Sequence, residues 1–359
     1  MNEELLYHIA FSNLPSINDK QRKRLFVQYG SAVAVFQACQ NKLLGLSADW
    51  PLHNASEEIE YLQKNNIDAL SLMDDRFPNR LIHCEDAPTL LFTKGNTHFN
   101  LPQLISIVGT RSHSIQVQKV LEELLAGLTH LQIGIVSGLA KGVDGLAHQT
   151  ALKMKLPTWG VLAHGFDYLY PYQHRKLAHE MLVQGGLISE FTHLTPPLAF
   201  HFPKRNRIVA GMTDATIVIE SEITGGSMIT ADLAFNYNRE VFAVPGKLHD
   251  PKSKGCLYLI RNNKATLYYD PIHLLECLSW PEAPIQKMST DQSIKTPSPP
   301  LAPALRSILL YIQTQGPIHR DLLFTQFNLS DSELAFYLLQ LELQELVQVT
   351  EGNQYTRRY

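Results

Sequence analysis

The 359-residue chain has little cysteine, no excess of charge of either sign and no long apolar run. Its four cysteines, Cys39, Cys84, Cys256 and Cys277, are widely spaced. They make no CxxC pair and no Cys/His ligand cluster, which disfavours a disulfide framework or a zinc site and suits a reduced, cytoplasmic chain. Formal net charge is -3, so there is no overall basic signature. Groups that bind a nucleic acid must therefore be concentrated locally. No apolar stretch is long enough to insert in a membrane, and the acidic start MNEELLYHIAFSNLP is no secretion signal. The dinucleotide fingerprint G-x-G-x-x-G is missing after the first candidate strand, and no P-loop G-x-x-x-x-G-K-[ST] occurs. A G-x-S-x-G elbow is absent too. Asp74-Asp75 lacks a third acidic ligand at useful spacing, so neither metal nor cofactor is expected.

What is present is a pair of apolar runs that stop at small, polar turns. LISIVGTRSHS begins at Leu104 and breaks at Gly109-Thr110-Arg111; IGIVSGLAKGVDGLAH breaks at Ser137-Gly138. The periodicity continues as strand 104–109, helix 115–129, strand 132–137, helix 142–153, strand 157–163 and helix 173–183. Strand 186–190, helix 204–211, strand 215–220, helix 227–237, strand 239–244 and helix 254–262 follow. Such alternation predicts an α/β fold with a parallel sheet covered on both faces. The loops after its strands then face one edge, where helix N-termini and backbone N–H groups suit an anion.

Candidate residues sit in those loops. Arg111 is read either as a fork onto phosphate or as a structural salt bridge, with Ser112 or Ser114 capping the next helix. Lys141 adds a charge. Asp144 and His148 share a helix face and, with Ser137, make a formal triad; a hydrogen-bonding scaffold fits the pattern better. Gly165 permits a tight turn before Asp167, Tyr170, His174 and Arg175, where aromatics beside a cation suit base stacking or a packed loop. HFPKRNRIVAG concentrates Lys204, Arg205 and Arg207 beside Asn206. Gly225, Gly226 and Ser227 make a nest at a strand-to-helix junction, and Lys247 follows the next strand. Several cationic loops imply a polyanion, and interleaved aromatics favour a single strand.

Residues 1–80 hold 8 Lys/Arg against 10 Asp/Glu and read as short helices, one starting near Asp19 and ending at Gly30, one capped by Ser31 and a further one starting near Ser56. The basic run Lys20, Arg22, Lys23 and Arg24 is a solvated face or, less favoured, a DNA-touching one. Residues near 70–95 read as a strand, a turn and a strand leading into the main sheet. Residues 283–303 are rich in Pro, Ser and Thr, as a flexible linker is. Beyond it come three helices and a hairpin around Glu351-Gly352-Asn353. The third helix carries Asp331, Glu333, Glu342 and Glu345 with no Lys or Arg, which disfavours phosphate contact. Only Arg357 and Arg358 at the tail favour it.

IVGTRSHS, SGLAKGVDGLAH, GFDYLYP, FPKRNRIVAG, ESEITGGSMIT and REVFAVPG together resemble the DprA/Smf family of natural transformation. That resemblance implies a sterile-alpha-motif-like (SAM-like) helical domain at 1–95, an extended Rossmann-like DNA-binding domain at 96–280, a linker at 281–303 and a winged helix at 304–359. It implies a cytoplasmic homodimer, not an enzyme, that binds single-stranded DNA, shields it from nucleases and single-strand-binding protein, and loads the RecA recombinase. Carried over by motif, the DNA-binding set is Arg111, Ser112, Ser114, Lys141, Arg175, Lys204, Arg205, Asn206, Arg207, Gly226, Ser227 and Lys247. Gly109, Ser137, Gly138, Asp144, His148, Gly165 and Asp167 support it. Which of Arg205 and Arg207 faces DNA stays open. Alternatives are a nucleotide-processing phosphoribohydrolase, whose P-G-G-x-G-T motif is absent, and a regulatory binder of small anions.

Overall fold

The computed structural model describes residues 3–281, 303–327, 329–343, 346–350 and 354–357. The expected linker, apart from its two end residues, lies outside them, as do the hairpin tip at 351–353 and Arg358. The chain divides into two compact units, Met1–Pro284 and Ile285–Tyr359.

In the first unit the elements run α1 (Glu3–Ser12), α2 (Asp19–Tyr29), α3 (Ala32–Gln40), α4 (Leu52–Asn65), β1 (Asp68–Ser71), α5 (Asn79–Ile82), β2 (Leu90–Gly95), β3 (Gln103–Val108), α6 (Gln116–Ala126), β4 (Ile133–Ser137), α7 (Val143–Lys153), β5 (Thr158–Val161), α8 (Arg175–Gln184), β6 (Gly186–Ser189), α9 (His201–Gly211), β7 (Ala215–Val218), α10 (Gly226–Asn236), β8 (Glu240–Ala243), α11 (Lys254–Arg261), β9 (Thr266–Leu267) and α12 (Pro271–Leu278). The sheet order is β1-β2-β6-β5-β4-β3-β7-β8-β9. From β3 onward the strands are mutually parallel. The all-parallel expectation fails at one edge: β2 runs antiparallel to both β1 and β6. No long helix separates β1 from β2, so the chain lacks the crossover that a parallel pair requires. The close approach of β2 to β6 depends on glycine, since a Cβ on Gly186 would stand 2.5 Å from the Lys94 carbonyl.

Period-2 alternation sorts the strands onto two cores. Ile105 and Ile107 of β3, Ile133 and Ile135 of β4 and Ile217 of β7 pack under α6, α7 and α12. Leu104, Val108, Val136, Val161 and Val218 face the other side, with Ile208 and Val209 of α9. That second core runs without a break into Phe11 and Phe26 of the N-terminal helices and Trp50 of the segment between α3 and α4. Asn18 and Gln21 form a capping box at α2, and the Ser31 hydroxyl accepts from the Ala34 amide at 3.1 Å. α4 starts at Leu52 rather than near Ser56, directly after Pro51; the proline ring pre-sets its own φ for the chain's entry.

The N-terminal basic run divides: Lys20 and Arg24 are exposed, as a solvated face requires, whereas Arg22 and Lys23 are bonded into the fold. Arg22 is buried and donates to the Phe11, Leu14 and Ile17 carbonyls. Lys23 donates to Ile82 and Cys84 carbonyls at 2.6 Å, and Lys20 pairs with Glu85.

The second unit holds α13 (Pro303–Gln315), β10 (Ile318–His319), α14 (Arg320–Phe327), α15 (Asp331–Leu343), β11 (Val347–Thr350) and β12 (Gln354–Arg357), with sheet order β10-β12-β11. Ser330 and Glu333 close the capping box that their spacing predicts, with the Glu333 amide 3.3 Å from the Ser330 hydroxyl. Leu323, Leu334, Leu338 and Val347 form its own core.

Candidate functional site

The strand order reverses between β3 and β7: β4, β5 and β6 follow on one side, β8 and β9 on the other. At such a switch point the loops leaving the two strands diverge and open a crevice beyond their C-terminal ends. A cleft of about 740 Å³ lies there, lined from Val108 to Arg111, at Gly138, Ala140 and Asp144, at Tyr170, at Pro197, Phe202, Arg205 and Asn206 and from Ser221 to Thr230. Five loops, each following a different strand, thus converge on one place.

Each wall is fixed. The Thr110 amide donates to the Glu220 carbonyl at 2.7 Å, and the Glu220 carboxylate accepts from the Ser114 amide at 2.9 Å and from its hydroxyl. Ser114 is therefore committed to Glu220, while Ser112 stays exposed with its amide on the Thr110 hydroxyl at 3.2 Å. Gly109 meets α7 so closely that a Cβ would lie 2.5 Å from Val143. Gly142 has φ +82°, and a Cβ there would strike the Thr110 carbonyl at 2.2 Å, so only glycine closes this turn. At the opposite wall α10 starts at Gly226 with no side-chain cap on its N-terminal amides. The buried Ser227 hydroxyl donates to Ser221 Oγ at 2.7 Å. Orphan N–H groups and the positive end of the helix dipole thus face the cleft.

Arg111 is exposed, and its guanidinium sits 5.6 Å from the Phe202 ring centroid. Tyr170 meets the same ring edge-on at 5.8 Å. Arg205 lies on the other flank at 6.0 Å, but is only 4% exposed. Its guanidinium donates to the Gly138 and Val161 carbonyls, and its Nε to Asn206 Oδ1 at 3.1 Å. Burial and the Arg111 charge hold its pKa down, opposed by Asp144, to about 10, so it remains a cation at neutral pH. Asn206 in turn donates to the Gly226 carbonyl at 3.4 Å and ties α9 to α10.

Lys204 and Arg207, expected beside these, face the other way. Arg207 is 4% exposed; it pairs with Glu190, lies 3.3 Å from Asp19 and donates to the Asp86 carbonyl. Lys204 stands 3.5 Å from both Asp19 and Glu190 and 5.5 Å from the Phe191 centroid. Neither lines the cleft. They form a latch between α9 and α2. Burial pushes the Asp19 carboxyl up, but Arg207, Lys204 and Arg22 outweigh it and hold the pKa below the usual range. The reason for the split is helical geometry: 204 and 207 share a face, and 205 points about 100° away.

The formal triad is dispersed. Ser137 donates to the Ile107 carbonyl at 2.6 Å. Asp144 accepts from the Gly138 and Ala140 amides at 3.1 and 3.4 Å, and burial raises its pKa. His148 Nδ1 pairs with the Thr158 hydroxyl at 2.7 Å, and burial lowers its pKa to about 3. The Ser137 hydroxyl thus stands between the Ile107 carbonyl and the Asp144 carboxylate, while the imidazole that a triad needs is bonded to Thr158 instead. Gly165 is buried and donates to Thr195, and the Asp167 amide donates to His193. Arg175 is exposed on a neighbouring groove, 3.3 Å from the Tyr172 hydroxyl. Lys141 and Lys247 are exposed, with no side-chain partner among the described residues. Asp74 is taken up by Arg76, at 3.0 Å, and among the described residues no cluster suited to a metal occurs. Nor is any described helix long and apolar enough to cross a membrane. Of Glu220, Phe202 and Tyr170, sequence reasoning missed only Glu220, since Tyr170 was read as a stacking or packing ring and Phe202 lies in the basic HFPKRNRIVAG stretch. Glu220 sits inside the ESEITGGSMIT segment only as an ordinary carboxylate, and nothing in its spacing signals a clasp.

Comparison with known proteins places this geometry. The sequence model of the family described as DNA recombination-mediator protein A matches residues 68–279. Protein Smf of Escherichia coli is 34% identical over 260 residues, 70% of this chain and 69% of that protein. DNA processing protein DprA of Streptococcus pneumoniae is 36% identical over 229 residues, 64% of this chain and 80% of the relative. The X-ray structure of the S. pneumoniae protein matches with TM-score 0.64 at 32% identity, covering 77% of this chain and 98% of that one. The structure of DNA processing protein A from Helicobacter pylori, described for its unique single-stranded DNA binding mode, matches with TM-score 0.54 at 27% identity, covering 59% of this chain and 95% of that one.

Proposed function

The chain belongs to the DNA recombination-mediator protein A family, also known as DprA/Smf, and from that premise we propose that its switch-point cleft binds single-stranded DNA. The observation that carries this reading is the convergence of Arg111, the Phe202 and Tyr170 rings and the uncapped start of α10 on one open crevice. A phosphate fits the helix start and the guanidinium, and an unpaired base fits the rings. Support comes also from the H. pylori relative, described for its single-stranded DNA binding mode.

The protein acts by binding, without turnover. The commitment of His148 to the Thr158 hydroxyl, away from Ser137, favours this. In this reading it shields incoming DNA in the cytoplasm during natural transformation and loads the RecA recombinase as a homodimer, displacing single-strand-binding protein. The central sheet serves as an extended Rossmann-like domain, α1–α4 as a SAM-like appendage and the second unit as a winged helix. The lack of Lys and Arg on α15 favours a protein contact for that unit over duplex DNA.

The test is equilibrium binding to labelled oligonucleotides of increasing length across a salt series. Affinity should rise with length and fall with salt. Flat curves remove the proposal, and hydrolysis of nucleoside monophosphates by the purified protein would replace it with the phosphoribohydrolase reading.

A further inference from the structure

The loop 166–172 separates the cleft from a second groove. Tyr170 lines the cleft, whereas Phe166, Tyr168, Leu169 and Tyr172 line the groove on the other side. The groove encloses about 1110 Å³. Leu162, Leu182 and Leu187 supply an apolar floor. Lys94 of β2 and Arg175, Lys176 and His179 of α8 supply a rim, and among the described residues no carboxylate lines it. Glu180 stands 3.8 Å from Lys176 in an exposed pair, a contact that neutralises little.

This wall is held in place. The Tyr170 amide donates to His164 Nε2 at 3.2 Å, and His164 Nδ1 donates to the Gly165 carbonyl at 2.9 Å. His174 Nδ1 donates to the Leu139 carbonyl at 2.9 Å, which ties the far end of the loop to the turn after β4. Yet the three tyrosines are open, with Tyr168 at 41%, Tyr170 at 46% and Tyr172 at 69% exposure. Rigid backbone with exposed rings is the arrangement of a stacking platform. Tyr168 and Tyr172 each lie two residues from Tyr170, at most about 7 Å of chain.

We propose that this groove is a second station for the same DNA strand, which leaves the cleft over Tyr170 and continues past Tyr172 along Lys94, Arg175 and Lys176. The inference rests on the cleft being a single-strand site. Rings take the bases, and the cationic rim takes the phosphates. An acidic peptide with apolar side chains would also satisfy the floor and the rim. It would leave unexplained why exposed tyrosines stand on both faces of one fixed wall.

The test compares Lys94→Glu/Lys176→Glu and Tyr172→Ala with Arg111→Glu, on oligothymidylates of about six and about twenty nucleotides. The groove variants should bind the short strand normally and lose about tenfold or more on the long one. The salt slope of the double variant should fall by about 1.4, since two phosphates are no longer neutralised. Arg111→Glu should weaken both lengths. If the groove variants bind the long strand normally while Arg111→Glu fails, the second station is wrong and the cleft reading stands. If Arg111→Glu also binds normally, both fall. Equal weakening on both lengths makes the groove part of the first site and overturns a separate station. Binding of a labelled Asp/Phe-rich peptide, lost in the double variant with DNA unaffected, assigns the groove to a peptide instead.

Discussion

Replacing Arg207 by methionine should damage the fold and spare DNA binding. The side chain is 5% exposed, as is Glu190, its main partner. Asp19 is more open at 23% and keeps Lys204 and Arg22 nearby, so its loss weighs less. Removing one member of a buried pair strands the other charge, at a cost of about 3–5 kcal/mol. For a unit of this size each kcal/mol is worth about 2 °C, so Tm should fall by about 6–10 °C. Thermal unfolding followed by Trp50 fluorescence or calorimetry reads that shift. At 20 °C, well below the transition, single-strand affinity should stay within about twofold, because Arg207 lines no part of the cleft. Adding Glu190→Gln should recover much of the loss. Arg207 Nε and Glu190 Oε1 are already buried without partners, so the intact pair is not fully satisfied. An unchanged Tm together with a tenfold loss of affinity would refute the latch and return Arg207 to the DNA surface.

Arg111→Ala should behave oppositely, losing about 1.5–3 kcal/mol of binding with Tm unchanged, since among the described residues the exposed guanidinium makes no ion pair and rests over the Phe202 ring; a Tm loss without a binding loss counts against it. Gly138→Ala should weaken binding without removing any charge. Its Cβ would stand 2.5 Å from the Arg205 guanidinium, which must then leave the cleft wall; a filter-binding assay with normal affinity contradicts this. Acid should loosen the α2–α9 latch. The folded Asp19 pKa is depressed, so its stabilisation is complete above the unfolded value of about 3.9 and fades as pH falls toward the folded one. Asp19→Asn should abolish that part of the acid transition in a fluorescence titration. Removing residues 303–359 should leave single-strand affinity largely intact, and a large loss on the truncated protein would show that the second unit touches DNA.

Element order was legible in the sequence because periodicity is local. The runs ending at Gly109 and Ser137 are strands, and the capping signals at Ser31 and Ser330 start their helices. The antiparallel entry of β2 was not legible, since strand direction depends on which edge a distant segment meets. The edge on which the cleft opens was also readable, because apolar strands that stop at glycine turns must deliver those turns to one end of a parallel sheet. What composition could not supply was the direction of each charge. Lys204, Arg205 and Arg207 look like one basic patch along the chain. On α9 they divide between two faces, and what each face meets was decided by segments far away in sequence: Asp19 and Glu190 for one, the Gly138 and Val161 carbonyls for the other. A helix turns neighbours about 100° apart, so adjacency in sequence fixes their spacing and tertiary packing alone fixes their partners.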